Sequence, residues 1–392
     1  MARKRRIFKK NKVIKVKFIP YGRQYIDQDD IDAVSDTLQS DFLTQGPKVE
    51  GFEDAISQYC GAKYTVAVAN ATAGLHLAAL ATLNEGDKVL TSPNSFLATS
   101  NSILYAKAKP IFVDINNDGN IDLDLCEQAL IKDSSIKAIF ATAMTGLIVN
   151  QAKLKHLKET YNIKIIEDCA HAIGAKDGAI SAGSCSYSDC TIFSFHPVKL
   201  ITTGEGGAIT TNSKSIYKKL IQLRSHGMVK DESMDPWQYE MHSLGFNYRI
   251  TDIQASLGIS QLKKLDNFLK KREVIAKKYD LAFENTEINS LYTYNGKSSY
   301  HLYVIQINFD KYSFSKKDLF LDMKKRGIGL QVHYIPINKQ PFYTNLGYGS
   351  EATPIMDRYY DQSFSIPMFP SLSTKEQEYV INNLLSFINV GE

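Results

Sequence analysis

Lys199 lies between an apolar, strand-like segment and a glycine-rich turn, in the stretch FSFHPVKLITTGEGG that covers residues 193–207. A lysine amine held beside a buried strand can attack a carbonyl carbon and form a Schiff base. Taken alone, Lys199 is better explained as a surface cation. The residues that follow the other strand-like segments decide between these two interpretations.

An acid and a histidine follow the apolar segment IKII, in the order Glu167-Asp168-Cys-Ala-His171. A carboxylate at the end of a strand, with an imidazole three residues later, could hold a ring nitrogen and a neighbouring oxygen. Acids at strand ends also serve as caps, so this motif is weak evidence by itself.

A third motif, Asn70-Ala-Thr72-Ala73-Gly74, follows the β-rich segment YTVAV and opens a helix-like segment. Free amide groups at the start of a helix, with the Thr72 hydroxyl beside them, would bind a phosphate. An ordinary helix N-cap explains the same residues equally well.

The three motifs together indicate pyridoxal 5′-phosphate (PLP). The Lys199 amine would bind the aldehyde of this cofactor, and the helix start at Thr72 would hold its phosphate. The Asp168 carboxylate would pair with the pyridine nitrogen and keep it protonated, so that the ring can accept electrons. The sequence therefore predicts a PLP enzyme.

The elements that must position these residues alternate along the chain. Helical patterns separate strand-like segments at residues 63–70, 87–93, 109–115, 136–144, 163–170 and 189–195. Such alternation predicts an α/β domain with a mostly parallel sheet and helices on both faces. Ligands bind such sheets at the carboxyl ends of the strands, which is where all three motifs occur.

The pattern changes near Thr251, which with Gln254 forms a capping box at the start of a long helix. Beyond it we predict strands at 300–308 and 327–335 and a helix at 315–326. We therefore expect a basic arm at residues 1–18, a large cofactor-binding domain at 19–265, and a connecting helix with a small α+β domain at 266–392.

Composition narrows the class of protein. The chain has 392 residues with 44% hydrophobic and 22% charged, and no apolar run approaches the roughly 20 residues that span a bilayer. Five cysteines are few for this length and indicate a reducing compartment. Cys185 and Cys190 have no histidine nearby at zinc-ligand spacing. These features predict a cytoplasmic protein without a metal site or a membrane partner.

Two other motifs resemble ligand sites but lack a required feature. Residues 114–119 match the start of a calcium-binding EF-hand loop, yet position twelve is Leu125, where a glutamate is needed. The sequence GEGG at 204–207 lacks the spacing of a dinucleotide loop. We predict a polar turn for the first and a tight turn for the second.

Residues 1–17 carry nine lysines and arginines and no acid, whereas the whole chain has a net charge of only +4. Such an arm could bind nucleic acid, an anionic membrane surface or a targeting receptor. We favour the alternative, a solvated and disordered tail, and do not expect a nucleic-acid partner.

Several long stretches resemble one family of PLP-dependent sugar aminotransferases, the DegT/DnrJ/EryC1/StrS family. They are FSFHPVKLITTGEGG, EDCAHAIGA, RSHGM at 224–228 and GFNYRITDIQASLGISQLKKL at 245–265. The resemblance extends from about Ile19 to the C-terminus. It implies PLP-dependent transferase fold type I and a homodimer with active sites at the subunit interface.

The resemblance also implies a role for individual residues. The expected catalytic residues are Lys199 as the Schiff-base lysine, Asp168 at the pyridine nitrogen and His171 at the ring hydroxyl. Other cofactor contacts are expected from Thr72, Ala73 and Ser194 at the phosphate, Phe96 on the ring face, and Asn247 reaching the phosphate of the partner subunit. The substrate contacts are expected from Tyr21, Thr44, His333 and Tyr334.

Three further stretches, IPYGRQYIDQDDIDAV, SDFLTQGPKVEGFE and RGIGLQVHYIPI, resemble the branch of the family that acts in pseudaminic acid biosynthesis. This implies transfer of an amino group from glutamate to C4 of UDP-2-acetamido-2,6-dideoxy-β-L-arabino-hexos-4-ulose, leaving 2-oxoglutarate. One departure is Ala143-Met-Thr-Gly146, where many relatives have H-x-x-G, so the substrate fit is expected to differ.

Three alternatives stay open at this point. The first is the same chemistry on another UDP-4-keto sugar, of the bacillosamine or legionaminic acid type. The second is a PLP-dependent sugar dehydratase, a class that generally lacks the lysine found here at position 199. The third is a non-catalytic regulator that binds nucleic acid through the basic arm.

Overall fold

A computed structural model describes residues 18–231, 233–293 and 295–390. The basic arm at residues 1–17, and with it the expected disordered tail, lies outside this part of the chain. No helix among the described residues is both long enough and apolar enough to cross a membrane.

Within the described residues, the main sheet has seven strands and is mostly parallel. Its order is β1-β9-β8-β5-β4-β2-β3, and only β9 runs antiparallel to its neighbours. In chain order, the strands of all four sheets in the described residues are β1 (Tyr64–Val68), β2 (Lys88–Thr91), β3 (Lys109–Phe112), β4 (Ile136–Thr142), β5 (Lys164–Asp168), β6 (Lys176–Asp177), β7 (Ile180–Ser181), β8 (Cys190–Ser194), β9 (Gly207–Thr211), β10 (Met228–Val229), β11 (Glu240–Met241), β12 (Asn289–Ser290), β13 (Tyr303–Gln306) and β14 (Ser363–Ile366). The predicted α/β fold class is confirmed.

Helices cover both faces of the main sheet. In chain order, the helices of the described residues, including those of the smaller region, are α1 (Gln28–Leu38), α2 (Pro47–Cys60), α3 (Ala71–Thr82), α4 (Leu97–Tyr105), α5 (Leu123–Lys132), α6 (Gln151–Tyr161), α7 (Lys214–Arg224), α8 (Asp252–Leu262), α9 (Leu265–Phe283), α10 (Lys316–Lys325), α11 (Pro341–Asn345), α12 (Pro354–Gln362) and α13 (Thr374–Val390).

Alternate residues of each strand point to opposite faces, and both faces are apolar. In β4, Phe140 packs with the helices α3 and α4, whereas Ile139 packs with α5 and α6. In β1, Val66 and Ala67 divide between the faces in the same way. Because helices bury both faces, these strands read as continuous apolar runs, which is why the sequence reveals them.

The long helix predicted after Thr251 is two helices, α8 and α9, with the break at residues 263–264. The predicted capping box is present, with Gln254 as the partner of Thr251. The first turns of α9 pack on the large-domain core through Phe268, and its later turns pack on the second core through Tyr279. The domain boundary at 265/266 stays a prediction.

The smaller region contains the antiparallel sheet β12-β13-β14, with α10 and α13 among the helices packed against it. The predicted strand at 300–308 and helix at 315–326 are confirmed. The predicted strand at 327–335 is wrong, because Ile328 and Gln331 form only isolated bridges, to Ile19 and Ser365.

Of the two motifs dismissed as ligand sites, the first is a turn, whereas GEGG is a bend at residues 204–205 that leads into β9. Residues 116–120 form a polar turn, closed by a hydrogen bond from the Gly119 amide to the Asn116 carbonyl. Just before it, the Asp114 carboxylate accepts the Ile355 and Met356 amides at the start of α12. No metal-binding group of three or more ligands occurs among the residues described.

Candidate active site

A cavity of about 990 Å³ opens at the carboxyl ends of the parallel strands. It brings together ten of the residues predicted for the site. They are Tyr21, Thr72, Ala73, Phe96, Asp168, His171, Ser194, Lys199, His333 and Tyr334. Their expected roles stay predictions.

Lys199 follows β8 in a turn that is closed by a hydrogen bond from its amide to the His196 carbonyl, at 2.9 Å. No described residue forms a side-chain hydrogen bond or ion pair with the Lys199 amine. Burial lowers the pKa of this amine to about 8, although the negative charge of Asp168 acts to raise it. A larger share of Lys199 is therefore neutral, and nucleophilic, than for an ordinary lysine near neutral pH.

Asp168 is the last residue of β5 and is buried at the inner wall of the cavity. Its Oδ2 accepts a hydrogen bond from Thr99 Oγ1 at 2.6 Å, and its Oδ1 accepts one from the Ala170 amide at 3.1 Å. Burial raises the pKa of this carboxyl, while the two donors and the nearby Lys199 act in the opposite direction. A cationic partner in the cavity would favour the charged form further.

His171 Nε2 and the Tyr334 hydroxyl share a hydrogen bond of 3.1 Å, whereas His171 Nδ1 is buried without a partner among the described residues. Burial, with help from the nearby Lys199 charge, lowers the pKa of His171 well below its usual range. The ring is therefore neutral near pH 7, and its unpaired nitrogen remains available to a ligand in the cavity.

The start of α3 has the N-cap predicted for the Asn70 motif and also offers free amides, as the alternative interpretation of a phosphate site requires. The Asn70 side chain caps the helix by accepting the Ala73 amide at 2.8 Å, so the N-cap is present. The amides of Ala71 and Thr72 have no hydrogen-bond partner in the described structure, and both residues line the cavity. The positive end of the helix thus offers two free donors to an anion.

Gly207 at the start of β9 permits this approach of α3. A Cβ atom at Gly207 would lie 2.7 Å from the Ala71 nitrogen and 2.7 Å from the Asn70 carbonyl carbon. Any larger residue would push the N-terminal end of α3 out of place. The last glycine of GEGG therefore lets the start of α3 approach the sheet, although Gly207 itself does not line the cavity.

The outer walls come from both regions of the chain. Phe96, which is 57% exposed, precedes α4 and has its ring 5.9 Å from that of Tyr334. Tyr21 lies edge-on to His333 at 5.3 Å between ring centroids. His333 is buried and bonded to Ser365 Oγ at 2.8 Å, and burial lowers its pKa to about 3.

Two predicted residues do not join this cavity. Thr44 forms an isolated bridge with Thr251, and Asn247 forms one with Ser225. Asn247 was predicted to act in the partner subunit, so its position outside its own cavity leaves that prediction untested. Thr44 does not line the cavity of its own chain, and its role also stays a prediction.

His301 lines the cavity and was missed by the sequence analysis. Its ring lies 4.4 Å from that of His171, and its Nδ1 also has no partner among the described residues. Burial lowers its pKa well below the usual range. The only signal in the sequence was a histidine beside the apolar strand β13.

Arg272 on α9 holds the backbone that carries His301. The side chain is fully buried, and its Nη1 donates to the carbonyls of Tyr300 and His301, both at 3.1 Å, and of Met368 at 2.9 Å. No carboxylate among the described residues pairs with it. Burial lowers the pKa of the guanidinium to about 9, which leaves it charged near pH 7.

The segment Ala143-Met-Thr-Gly146, expected to alter substrate fit, does not line the cavity. Thr145 Oγ1 bonds to the Tyr292 hydroxyl at 2.6 Å, and the Gly146 carbonyl accepts the Ser299 amide at 3.0 Å. An effect of this departure on the substrate would therefore act through the neighbouring segment that ends in His301.

The cavity thus holds a nucleophilic amine, a buried carboxylate and a helix start suited to an anion. The sequence pattern of the DegT/DnrJ/EryC1/StrS aminotransferase family matches residues 24–385. The chain belongs to this aminotransferase family. The conclusion drawn from the resembling stretches is confirmed, and with it the expected fold type.

Members of the family with known names or structures match nearly the whole chain. A Campylobacter jejuni protein named UDP-4-amino-4,6-dideoxy-N-acetyl-beta-L-altrosamine transaminase is 42% identical over 373 residues, covering 94% of this chain and 97% of that protein. Helicobacter pylori PseC, an aminotransferase involved in the biosynthesis of pseudoaminic acid, superposes with a TM-score of 0.90 at 31% identity, covering 95% of this chain and 100% of that chain. Streptococcus pneumoniae Spr1654, in a PLP form, superposes with a TM-score of 0.86 at 29% identity, covering 95% and 99%.

Proposed function

We propose that this aminotransferase uses PLP to move an amino group from glutamate to C4 of UDP-2-acetamido-2,6-dideoxy-β-L-arabino-hexos-4-ulose. The observation that carries the proposal is the unpaired Lys199 amine, in one cavity with Asp168 and the start of α3. The names of the C. jejuni and H. pylori relatives support the choice of sugar.

The residues present fit PLP. The free Ala71 and Thr72 amides suit its phosphate, the Asp168 carboxylate suits its ring nitrogen, and the unpaired Nδ1 of His171 offers a hydrogen bond to a ring substituent. When bound, PLP supplies an aldehyde that captures amines and a ring that accepts electrons from the adjacent carbon. The PLP form of the related Spr1654 protein supports the same cofactor.

The chain's own groups then perform three tasks. Lys199 would hold the cofactor through its aldehyde, and the same amine, when free, would move the proton at the donor Cα. Asp168 holds the proton on the ring nitrogen through its negative charge. His171, neutral and bonded to Tyr334, fixes the orientation of the ring without adding a charge.

The walls formed by Tyr21, His333 and Tyr334 are assigned to the sugar. Glutamate gives its amine first and leaves as 2-oxoglutarate, after which the 4-keto sugar enters the same cavity. Lys199 would then move the proton in the opposite direction, and the amino group that C4 of the sugar receives would come from glutamate by way of the bound cofactor. A single amine can release a proton in one half-reaction and take one up in the other, because its pKa of about 8 lies close to neutral pH.

The new amine is expected only from the L-arabino 4-keto sugar, or at least roughly tenfold faster than from its D-xylo isomer, since the sugar hydroxyls must match fixed polar groups. Both UDP-4-keto isomers should be incubated separately with the enzyme, PLP and glutamate, and the 4-amino products quantified by mass spectrometry. Omitting glutamate gives the background. Faster conversion of the D-xylo isomer would assign the enzyme to bacillosamine- or legionaminic-type chemistry, and formation of a 3-deoxy sugar would indicate a dehydratase.

We further propose a homodimer in which Asn247 reaches the cofactor phosphate of the partner subunit. Phe42 and Leu43, beside Thr44, are apolar and about half exposed, and a subunit contact at this point would cover them. The mass in solution, measured by light scattering, is expected to be twice the 44.0 kDa of the chain. A single-chain mass at assay concentrations would contradict the shared site.

A further inference from the structure

Three hydroxyl groups form a chain of hydrogen bonds that ends on Asp168. Thr99 Oγ1 donates to Asp168 Oδ2 at 2.6 Å, Ser95 Oγ lies 2.5 Å from Thr99 Oγ1, and Thr142 Oγ1 lies 3.1 Å from Ser95 Oγ. All three hydroxyl residues are buried. Buried polar side chains linked in this way form a network whose members depend on one another.

The direction of each hydrogen bond follows from the first one. A hydroxyl has one proton, and Thr99 gives its proton to the carboxylate. Ser95 must therefore donate to Thr99, and Thr142 to Ser95. Each proton in the chain points toward Asp168, so the whole network favours a negative charge on that carboxyl.

The network also joins separate elements around the ring site. Thr142 ends β4 and is paired in register with Asp168 at the end of β5. Ser95 and Thr99 lie on either side of Phe96 in the sequence, at the start of α4, and Phe96 is the residue predicted to stack on the cofactor. The position of Asp168 is thus tied to that of Phe96 through side chains rather than through the sheet alone.

We propose that Thr99, supported by Ser95 and Thr142, is a positioning residue that keeps Asp168 charged and aimed at the ring nitrogen of the cofactor. The inference rests on the proposed function, because it assigns that nitrogen to Asp168. The charged and titratable groups that act on or are influenced by Asp168 are Lys199, Tyr334 and the adjacent Cys169. Of these only Lys199 carries a positive charge, and its amine is committed to the aldehyde.

The test compares PLP with a carbocyclic analogue in which the ring nitrogen is replaced by carbon. Both are titrated into the full-length protein freed of cofactor, and binding is followed by absorbance and protein fluorescence. Thr99→Val keeps the side-chain shape but removes the donor to a charged acceptor. We expect PLP to bind this variant roughly tenfold or more weakly, with the analogue affected by no more than about twofold.

Two variants serve as controls. Thr99→Ser retains a hydroxyl and should restore the preference for PLP over the analogue. Thr37→Val removes an equally buried threonine hydroxyl, bonded to the Ala33 carbonyl in α1, and should alter neither affinity. If Thr99→Val does not fold, Ser95→Ala carries the test, with a smaller loss in the same direction.

The possible outcomes separate the two proposals. Equal weakening of PLP and analogue by Thr99→Val would reduce Thr99 to a packing role and overturn the inference, as would unchanged PLP binding. Failure of the wild-type protein to prefer PLP to the analogue would instead show that Asp168 does not pair with the ring nitrogen, which contradicts the proposed function.

Discussion

Replacing Lys199 with alanine is expected to lower transaminase turnover by roughly three orders of magnitude or more, since one amine serves as nucleophile and proton carrier. The rate is measured with glutamate and the L-arabino 4-keto sugar. Borohydride trapping followed by peptide mass spectrometry should place the cofactor on residue 199 in the wild type. The variant should lack this covalent link and its absorbance band.

Lys316 provides a matched control for Lys199. Burial also lowers the pKa of Lys316 to about 8, but its amine lies over the Tyr360 ring and donates to the Tyr360 carbonyl, away from the cavity. Lys316→Ala should leave turnover and labelling at residue 199 unchanged. A Lys199→Ala enzyme that still transaminates at near wild-type rate would end the proposed mechanism.

Capture of PLP by Lys199 should also depend on pH in a defined direction. With a pKa of about 8, the amine loses its proton as the pH rises through that value, and only the neutral form attacks the aldehyde. The folded pKa is below that of a free lysine, so burial of the charged amine opposes folding most below pH 8 and less above it. The rate at which PLP becomes trapped on Lys199 is therefore expected to increase as the pH is raised through about 8.

Asp168→Asn is expected to retain some cofactor but to lose roughly 30-fold or more in turnover. The amide keeps the shape of the carboxyl but cannot hold a positive charge on the ring nitrogen, and losing one member of a buried charge pair costs about 2–5 kcal/mol. Single-turnover kinetics with glutamate measure the loss in the first half-reaction.

The control for this variant is Glu167→Gln. Glu167 is the preceding residue of β5, is also buried, and accepts a hydrogen bond from Gln151 on α6 at 2.7 Å. It does not line the cavity, so its replacement should leave turnover per folded molecule unchanged. Full activity in Asp168→Asn would show that another group pairs with the ring nitrogen.

The main sheet and the central site residues were predictable because local patterns encode them. Each buried strand is a short apolar run, and Thr72, Asp168 and Lys199 all follow such runs within five residues. Parallel strands end at one edge, so the sheet itself brings the three together. The family resemblance then identified residues, such as Tyr334, that no local pattern marks.

Other features depend on contacts between distant parts of the chain. His301 reaches the cavity only because the second region folds against the first. Thr99 looks like any threonine in a helix until Asp168 is placed beside it. The strand predicted at 327–335 is wrong because this segment pairs with the rest of the chain only through isolated bridges, such as that of Ile328 to Ile19, and forms no continuous ladder. Ile328 is nevertheless buried in the second core, which explains the apolar pattern.

The buried guanidinium of Arg272 has a mechanical consequence. Its Nη1 donates hydrogen bonds to the carbonyls of His301 and Met368. The Met368 amide in turn donates to the Tyr21 carbonyl at 2.9 Å. Hydrogen bonds therefore connect helix α9 to the segments that carry His301 and Tyr21. A tilt of that helix would shift the side of the cavity that carries Tyr21 and His301 as one unit, while Lys199 and Asp168 stayed anchored to the sheet.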